Sequence, residues 1–194
     1  NFDTSNFVAQ FMHNIRDTSY GSRINEYSPS GQKAPSESPT WSQAYVNGIY
    51  AAWHEGGQFS LSEEHYEFMR THADYWIQEI NKEEPWIWEW RGRLGDWASP
   101  NGTISPTTMP SEGGTLYDTA AVYRVMAEMA EIAAAMGKEE DAQKYQDAAD
   151  NIRTAFHNTF YNVEKGYYES GYWNGETNRT QYRQSSNLLA LYYG

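Results

Sequence analysis

Apolar side chains recur every three or four residues along most of the chain, which is the spacing of one face of a helix. Few stretches alternate in the manner of a strand, and the candidate is a short hairpin around Gly166. The pattern therefore predicts an all-α fold. The predicted helices span about residues 5 to 18, 40 to 54, 63 to 84, 117 to 136 and 139 to 158, and a further helix begins near residue 184.

Residues at the predicted helix ends fit known capping chemistry. Ser62 can cap the third helix, because a serine hydroxyl accepts a hydrogen bond from the free N–H groups of a first turn. Gly137 ends the fourth helix, and only a very short connection separates it from the fifth helix. This short connection predicts that the two helices form an antiparallel pair. Thr40 can cap the second helix and would place Trp41 at its first turn, facing whatever lies beyond the helix.

Long connections separate these helices, and the one over residues 85–100 is the most unusual. It contains four of the eight tryptophans within twelve residues, interrupted by glycines and by a single aspartate, Asp96. Two interpretations are open at this point. The stretch is either an aromatic plug in the core of a helical domain or the wall of a concave pocket that holds a ligand.

Composition narrows the possible functions. A chain of 194 residues with 16% aromatic residues has enough apolar material for one domain with a real core. Its net charge of −12 argues against nucleic acid and anionic membrane surfaces as partners, since both attract clustered Lys and Arg. The chain has no cysteine, which excludes disulfides and thiolate chemistry, and no apolar run approaches the roughly 18 residues of a membrane span.

Candidate chemistry centres on one acid and two tryptophans. Asp96 could bind sugar hydroxyls or carry a proton, although an aspartate between Gly95 and Trp97 could equally cap a local turn. Trp41 and Trp97 both lie outside the apolar stripes, where an indole can contact the apolar C–H face of a sugar. Among the five histidines only His65 and His72 share a helix face, two turns apart and without a carboxylate arranged between them, and no phosphate-binding or dinucleotide-binding motif occurs. We therefore expect neither a metal nor a cofactor.

Several stretches, taken in order, resemble the α-L-rhamnosidases of glycoside hydrolase family 78, whose catalytic domain is an (α/α)6 barrel. The likeness covers nearly the whole chain. The stretches that carry it are Asn1-Phe2-Asp3 with the first helix, Ser38-Pro39-Thr40-Trp41-Ser42-Gln43-Ala44, Gly95-Asp96-Trp97, and the residues 119–132, 137–156 and 187–192.

This resemblance implies a hydrolase that releases terminal α-L-rhamnose with inversion of configuration. An inverting enzyme needs a general acid and a general base on two carboxyl groups. The acidic motif of the family, Asp-Cys-Pro-Gln-Arg-Asp-Glu-Arg, is absent here and would fall before Asn1, whereas the base would fall after Gly194. The resemblance thus implies that residues 1–194 are the central part of one catalytic domain with both ends cut, and that neither catalytic carboxylate lies within them.

The resemblance also implies the binding residues and the partners. Trp41 and Trp97 look like the sugar-contacting tryptophans of the family, and Asp96 lies beside Trp97. The implied partners are a rhamnosyl glycoside and the rest of the same polypeptide. Two alternatives stay open: another glycosidase on the same barrel, and a non-catalytic helical protein that binds carbohydrate. The helical pairs do not share a fixed period of about 34 residues, which is a point against a repeat scaffold.

Overall fold

The computed structural model describes residues 5–19, 24, 38–55, 59–82, 85–88, 114–169 and 184–193. These residues are mostly helical, as the apolar pattern predicts. The elements are helices α1 (Ser5–Thr18), α2 (Pro39–Ser42) and α3 (Ala44–Tyr50), a π-helical turn (Ala51–Glu55), helices α4 (Glu63–Ile80), α5 (Gly114–Ala135) and α6 (Glu139–Phe160), strands β1 (Tyr161–Asn162) and β2 (Tyr167–Tyr168), and helix α7 (Gln184–Tyr193).

Local chemistry explains several of these boundaries. The backbone N–H of His65 donates to Ser62 Oγ at 3.2 Å, which confirms Ser62 as the cap of α4. The same helix ends at Ile80, earlier than the predicted stop at Pro85. Asn81 accounts for the difference, because its side-chain amide donates to the carbonyl of Ile77 at 2.9 Å and satisfies one of the free carbonyls of the last turn.

The second predicted helix is divided into three parts, α2, α3 and the π-helical turn. Gln43 separates α2 from α3 with backbone angles that are still close to helical, so the chain keeps its direction. The predicted cap is wrong here: the helix begins at Pro39, which puts Ser38 at the cap position and Thr40 inside the first turn. Proline suits the first helical position because it has no N–H to leave unsatisfied.

Helices α5 and α6 form the predicted antiparallel pair. The turn between them uses Gly137 at φ 72°, and Lys138 N–H donates to the carbonyl of Ala133 at 2.9 Å. The apolar stripes of both helices face each other in the main core, which α1, α3 and α4 complete. Fully buried members from the pair include Val122, Met126, Met129, Ala133, Tyr145 and Ile152.

Polar contacts fix the directions of the remaining helices. Glu63 pairs with Lys138 at 2.6 Å near the starts of α4 and α6, and Asp74 accepts from the Tyr145 hydroxyl at 2.9 Å further along both. The two helices therefore run parallel. Since α5 is antiparallel to α6, α4 is also antiparallel to α5.

Helices α2 and α3 run parallel to α5. Thr40 contacts Asp118 near the N-terminal ends, and the Tyr50 hydroxyl donates to Glu131 at 2.7 Å near the C-terminal ends. The chain thus builds two successive antiparallel hairpins, α2/α3 with α4 and α5 with α6, stacked side by side in the same direction. As a result, the helices α2 and α5 begin at the same end of the structure.

The chain after α6 contains the short predicted hairpin. Tyr161 pairs with Tyr168 and Asn162 with Tyr167 across an antiparallel turn, in which Gly166 has φ 72°. Helix α7 then packs beside α5, and a second, smaller core cluster contains Leu116, Ala120, Phe156 and Phe160. Within the described ranges no helix is long and apolar enough to cross a membrane.

Candidate functional site

Trp41 lies in the first turn of α2 with 43% of its surface exposed. It differs in this from Trp76 and Trp88, which are 2% and 4% exposed and belong to the main core. Tryptophan combines a large apolar ring with a polar N–H, and it is enriched at surfaces that bind a partner. The structure therefore agrees with the expectation that Trp41 lies outside the apolar stripes.

The turn that carries Trp41 is held by Asp118, a fully buried aspartate of α5. The Oδ1 atom of Asp118 accepts three hydrogen bonds, from Ser38 Oγ at 2.9 Å, Thr40 N at 3.0 Å and Thr40 Oγ1 at 2.6 Å. The Ser38 side chain makes no capping bond of its own. The carboxyl of one helix thus caps the first turn of another.

Burial dominates the electrostatics of this carboxyl. Removal from water disfavours its charged form and raises the pKa of Asp118 to about 7, against the opposing effect of the bonds from Thr40 and Ser38. Its second oxygen, Oδ2, has no hydrogen-bond partner among the described residues. The proton of the neutral form therefore belongs on Oδ2, because three donors already occupy Oδ1.

The sequence analysis missed Asp118, and the reason is physical. An acid near the start of a helix is common, since it interacts favourably with the helix dipole and needs no other explanation. The signal that was present is the position of Asp118 among the small and apolar residues Thr119, Ala120 and Ala121, which form part of a buried face. A carboxylate on such a face needs hydrogen-bond donors from elsewhere in the chain.

The described part of the Trp-rich stretch, residues 85–88, is a plug. The indole of Trp88 meets that of Trp76 edge to face, with ring centroids 6.1 Å apart, and Ile87 is buried beside α5. The backbone N–H of Trp88 donates to Thr119 Oγ1 at 3.0 Å. Asp96 and Trp97 lie outside the described residues, and for them both interpretations of the stretch remain predictions.

Two chain segments therefore meet successive residues near the start of α5. Asp118 holds the Trp41 turn, and Thr119 holds the backbone of Trp88. The hydroxyl of Thr119 in turn donates to the carbonyl of Thr115 at 2.6 Å, which directs its lone pairs to the incoming N–H. The N-terminal part of α5 is thus the scaffold for both Trp-bearing segments.

A groove of about 500 Å³ lies elsewhere, between α5, α6, β2 and α7. Its walls are mainly apolar and aromatic, and none of the described residues that line it is an aspartate or a glutamate. It contains the ring of His157, whose Nδ1 lies 2.8 Å from the Tyr168 hydroxyl. The described lining of this groove therefore offers no carboxyl pair for glycoside hydrolysis.

The buried histidines have structural contacts. His65 Nδ1 lies 2.8 Å from the Tyr45 hydroxyl, and the ring of His72 packs on Trp76. Within the described ranges, no three His, Cys, Asp or Glu side chains are grouped so that they could hold a metal ion. Burial lowers the pKa of His65, so its neutral form is favoured in this core.

Comparison with known proteins identifies the fold. The sequence model of the bacterial alpha-L-rhamnosidase 6 hairpin glycosidase domain matches residues 1–194. The chain belongs to this family. The match confirms the resemblance given by the sequence motifs, and the all-α fold is that of a six-hairpin, (α/α)6-type glycosidase domain. A search of curated proteins gives no match.

A solved structure supports this assignment of the fold. The α-L-rhamnosidase from Dictyoglumus thermophilum superposes with a TM-score of 0.72 at 24% sequence identity. The similarity covers 99% of this chain and 20% of that one, so the chain spans about a fifth of the length of that enzyme. In a six-hairpin glycosidase domain, the two stacked hairpins described above are successive units of the barrel.

Proposed function

We propose that the chain is the central part of the catalytic domain of an inverting α-L-rhamnosidase and that it supplies part of the sugar-binding wall. The observation that carries this proposal is the half-open Trp41 indole, held at the start of α2 in a chain of the rhamnosidase six-hairpin family. The substrate is a glycoside with a terminal α-L-rhamnose.

Trp41 has the chemistry that such a wall needs. The ring face of a sugar exposes C–H groups, which an indole contacts well, while the sugar hydroxyls require polar partners. Asp96 and Trp97 are proposed as further parts of the same wall, with the Asp96 carboxylate accepting a hydrogen bond from a sugar hydroxyl. Neither role needs these residues to exchange a proton with the substrate.

Inverting hydrolysis itself requires two further carboxyl groups. One protonates the leaving oxygen, and the other removes a proton from the water that attacks the opposite face of the sugar. In the proposal both come from parts of the polypeptide beyond residues 1–194. The 194-residue chain is therefore proposed to be inactive when isolated.

Exposed apolar side chains support the rest of the polypeptide as a partner. On α7, Leu188 and Leu191 are 54% and 80% exposed, and Phe7 on α1 is similarly open and stacks on Phe11. Large apolar side chains at both ends of the described chain are poorly suited to water. We propose that other helices of the same domain cover them.

The test is hydrolysis of 4-nitrophenyl α-L-rhamnoside by the intact polypeptide, together with its mass. We expect a mass above that of the 194 residues, turnover by the intact chain, and β-rhamnose as the first product in an NMR time course. Turnover by the 194-residue chain alone would contradict the fragment proposal. Turnover of another glycoside instead would indicate a different glycosidase on this barrel, and binding without turnover would indicate a carbohydrate-binding protein.

The role of Trp41 is tested with a matched pair of variants. We expect Trp41→Ala to raise KM for the rhamnoside because it removes the apolar face under the sugar. Trp53→Ala is the control, since Trp53 is a half-buried tryptophan at the other end of the same helical segment and packs on Tyr50. Equal kinetic effects of the two substitutions would argue against a sugar contact at Trp41.

A further inference from the structure

The first turn of α2 depends on a bond from outside its own helix. Pro39 has no N–H, and the N–H groups of Trp41 and Ser42 both reach the carbonyl of Ser38, at 3.1 and 3.2 Å. The N–H of Thr40 has no acceptor within its own helix and donates its hydrogen bond to Asp118 Oδ1. Because the Ser38 side chain makes no capping bond, Asp118 is the acceptor that satisfies the N–H of Thr40.

The other hydrogen bonds of this turn lie within residues 38–43: Ser42 Oγ donates to the carbonyl of Ser38 at 2.9 Å, and the Gln43 N–H donates to the carbonyl of Pro39 at 3.0 Å. Those bonds fix the local shape of the turn, whereas the three bonds to Asp118 tie it to α5. Trp41 is also more exposed than the core tryptophans, which means that packing restrains its indole less. The orientation of the Trp41 side chain therefore follows the backbone of residues 38–42, which three hydrogen bonds to Asp118 join to α5.

Asp118 is itself rigidly placed. It is fully buried in the N-terminal part of α5, and its neighbours Thr119 and Ala120 are buried as well. A group on a long, well-packed helix can hold a short turn more precisely than the turn can hold itself. We propose that Asp118 is a positioning residue, whose carboxyl fixes the first turn of α2 and thereby the Trp41 indole that receives the sugar. That the Trp41 indole receives the sugar rests on the proposed function.

The test is a double-mutant cycle on the intact polypeptide, with kcat and KM for 4-nitrophenyl α-L-rhamnoside as the readout. The variants are Asp118→Ala, Trp41→Ala and the double variant. We expect Asp118→Ala to raise KM by about tenfold with a smaller change in kcat, because a displaced binding wall weakens substrate binding first. In the Trp41→Ala background the same substitution should have almost no further effect on KM.

Two further variants separate positioning from general loss of structure. Asp118→Asn keeps an Oδ1 acceptor for Ser38 and Thr40, so it should retain a KM close to that of the parent. Glu128→Ala is the matched control, since Glu128 is also a buried acid of α5 but pairs with Arg124 at 2.7 Å, away from the Trp41 turn. It should cost stability without raising KM. If Asp118→Ala does not fold, Thr40→Val removes one of the three bonds and replaces it in the cycle.

The result that overturns the proposal is full additivity, in which Asp118→Ala raises KM by the same factor with and without Trp41. An equal rise in KM for Glu128→Ala would also overturn it.

Acrylamide quenching separates this failure from failure of the proposed function. The Trp41 component is the difference between the fluorescence of the parent and of Trp41→Phe. We expect Asp118→Ala to increase quenching of that component and Asp118→Asn to leave it unchanged, even if the rhamnoside is not turned over. Unchanged quenching in Asp118→Ala would refute the positioning role by itself.

Discussion

The backbone nitrogen of Thr40 lies 3.0 Å from Oδ1 of Asp118, although 78 positions separate the two residues in the sequence. This bond joins the starts of two parallel helices, and it replaces the cap that a local side chain usually provides. The same carboxyl group therefore contributes a contact between the two hairpins and holds the turn that carries Trp41.

The first prediction concerns pH and stability. Burial raises the pKa of Asp118 to about 7 in the folded chain, from an ordinary value of 3.8. Between about pH 4 and pH 7 the folded state thus keeps a proton that the unfolded state has released, so the free energy of unfolding should fall as pH rises, by at most about 1.4 kcal/mol per pH unit. Below this window the stabilisation is complete, and above about pH 7 it is lost.

Urea unfolding of the parent and of Asp118→Asn at several pH values from 4 to 8 measures this effect. The amide does not titrate, so the profile of the variant should be flatter than that of the parent across the window. Burial also raises the pKa of Glu128, and that group contributes to the slope of both proteins alike. Parallel profiles would show that Asp118 keeps an ordinary pKa when folded.

The second prediction concerns the cap of α4. Ser62→Ala removes the oxygen that accepts the N–H of His65 and should lower the free energy of unfolding by about 1 kcal/mol. Thermal or urea unfolding provides the measurement. Ser60→Ala is the control, because Ser60 is exposed and precedes the helix, and it should leave the stability unchanged. An equally stable Ser62→Ala variant would mean that water replaces the cap at no cost.

The third prediction concerns the turn between α5 and α6. Gly137 has φ 72°, and a Cβ atom there would meet nothing within 4 Å, so a substitution encounters backbone strain but no clash. We expect Gly137→Ala to cost about 1 to 2 kcal/mol of stability and Gly137→Asn to cost less, since asparagine tolerates the left-handed region better. If Gly137→Ala and Gly137→Asn lower the free energy of unfolding by the same amount, backbone strain at this position would not be the cause.

The fourth prediction concerns the core. Met129 is fully buried between α5 and its neighbours, and Met129→Ala should destabilise the chain by about 2 to 5 kcal/mol through lost burial and a residual cavity. Met136→Ala is the matched control, because Met136 is only partly buried at the end of the same stripe. Denaturant unfolding should rank the two, and a larger loss at Met136 would contradict the packing described here.

The helices themselves were accessible from the sequence because their determinants are local. A stripe of apolar residues and a glycine at the turn specify the α5–α6 pair, and Ser62 specifies the start of α4. The spacing of apolar residues does not distinguish an α-helix from a π-helical turn. For this reason the sequence predicts α3 and the π-helical turn after Gln43 as parts of one helix. The predicted cap at Thr40 was wrong because proline at position 39 moved the start of the helix.

The candidate site was only partly predictable, since its decisive contact is long-range. Trp41 was identified from its place outside the apolar stripes. Asp118 was not, because the donors that it satisfies are distant in sequence and its own position near a helix start looks ordinary. For the Trp-rich stretch, residues 85–88 are a plug in the core, while the roles of Asp96 and Trp97 stay predictions.

The long separation between Thr40 and Asp118 also has a kinetic consequence. The α5–α6 pair closes through a connection of a few residues, which costs little entropy, so we expect it to fold early. The Trp41 turn must wait for a partner that is synthesised 78 residues later, on the order of 4 to 16 s at ordinary rates of translation. On the ribosome, the Trp41 turn should therefore stay open to proteases until α5 has emerged, and it should be among the last parts of the chain to become protected.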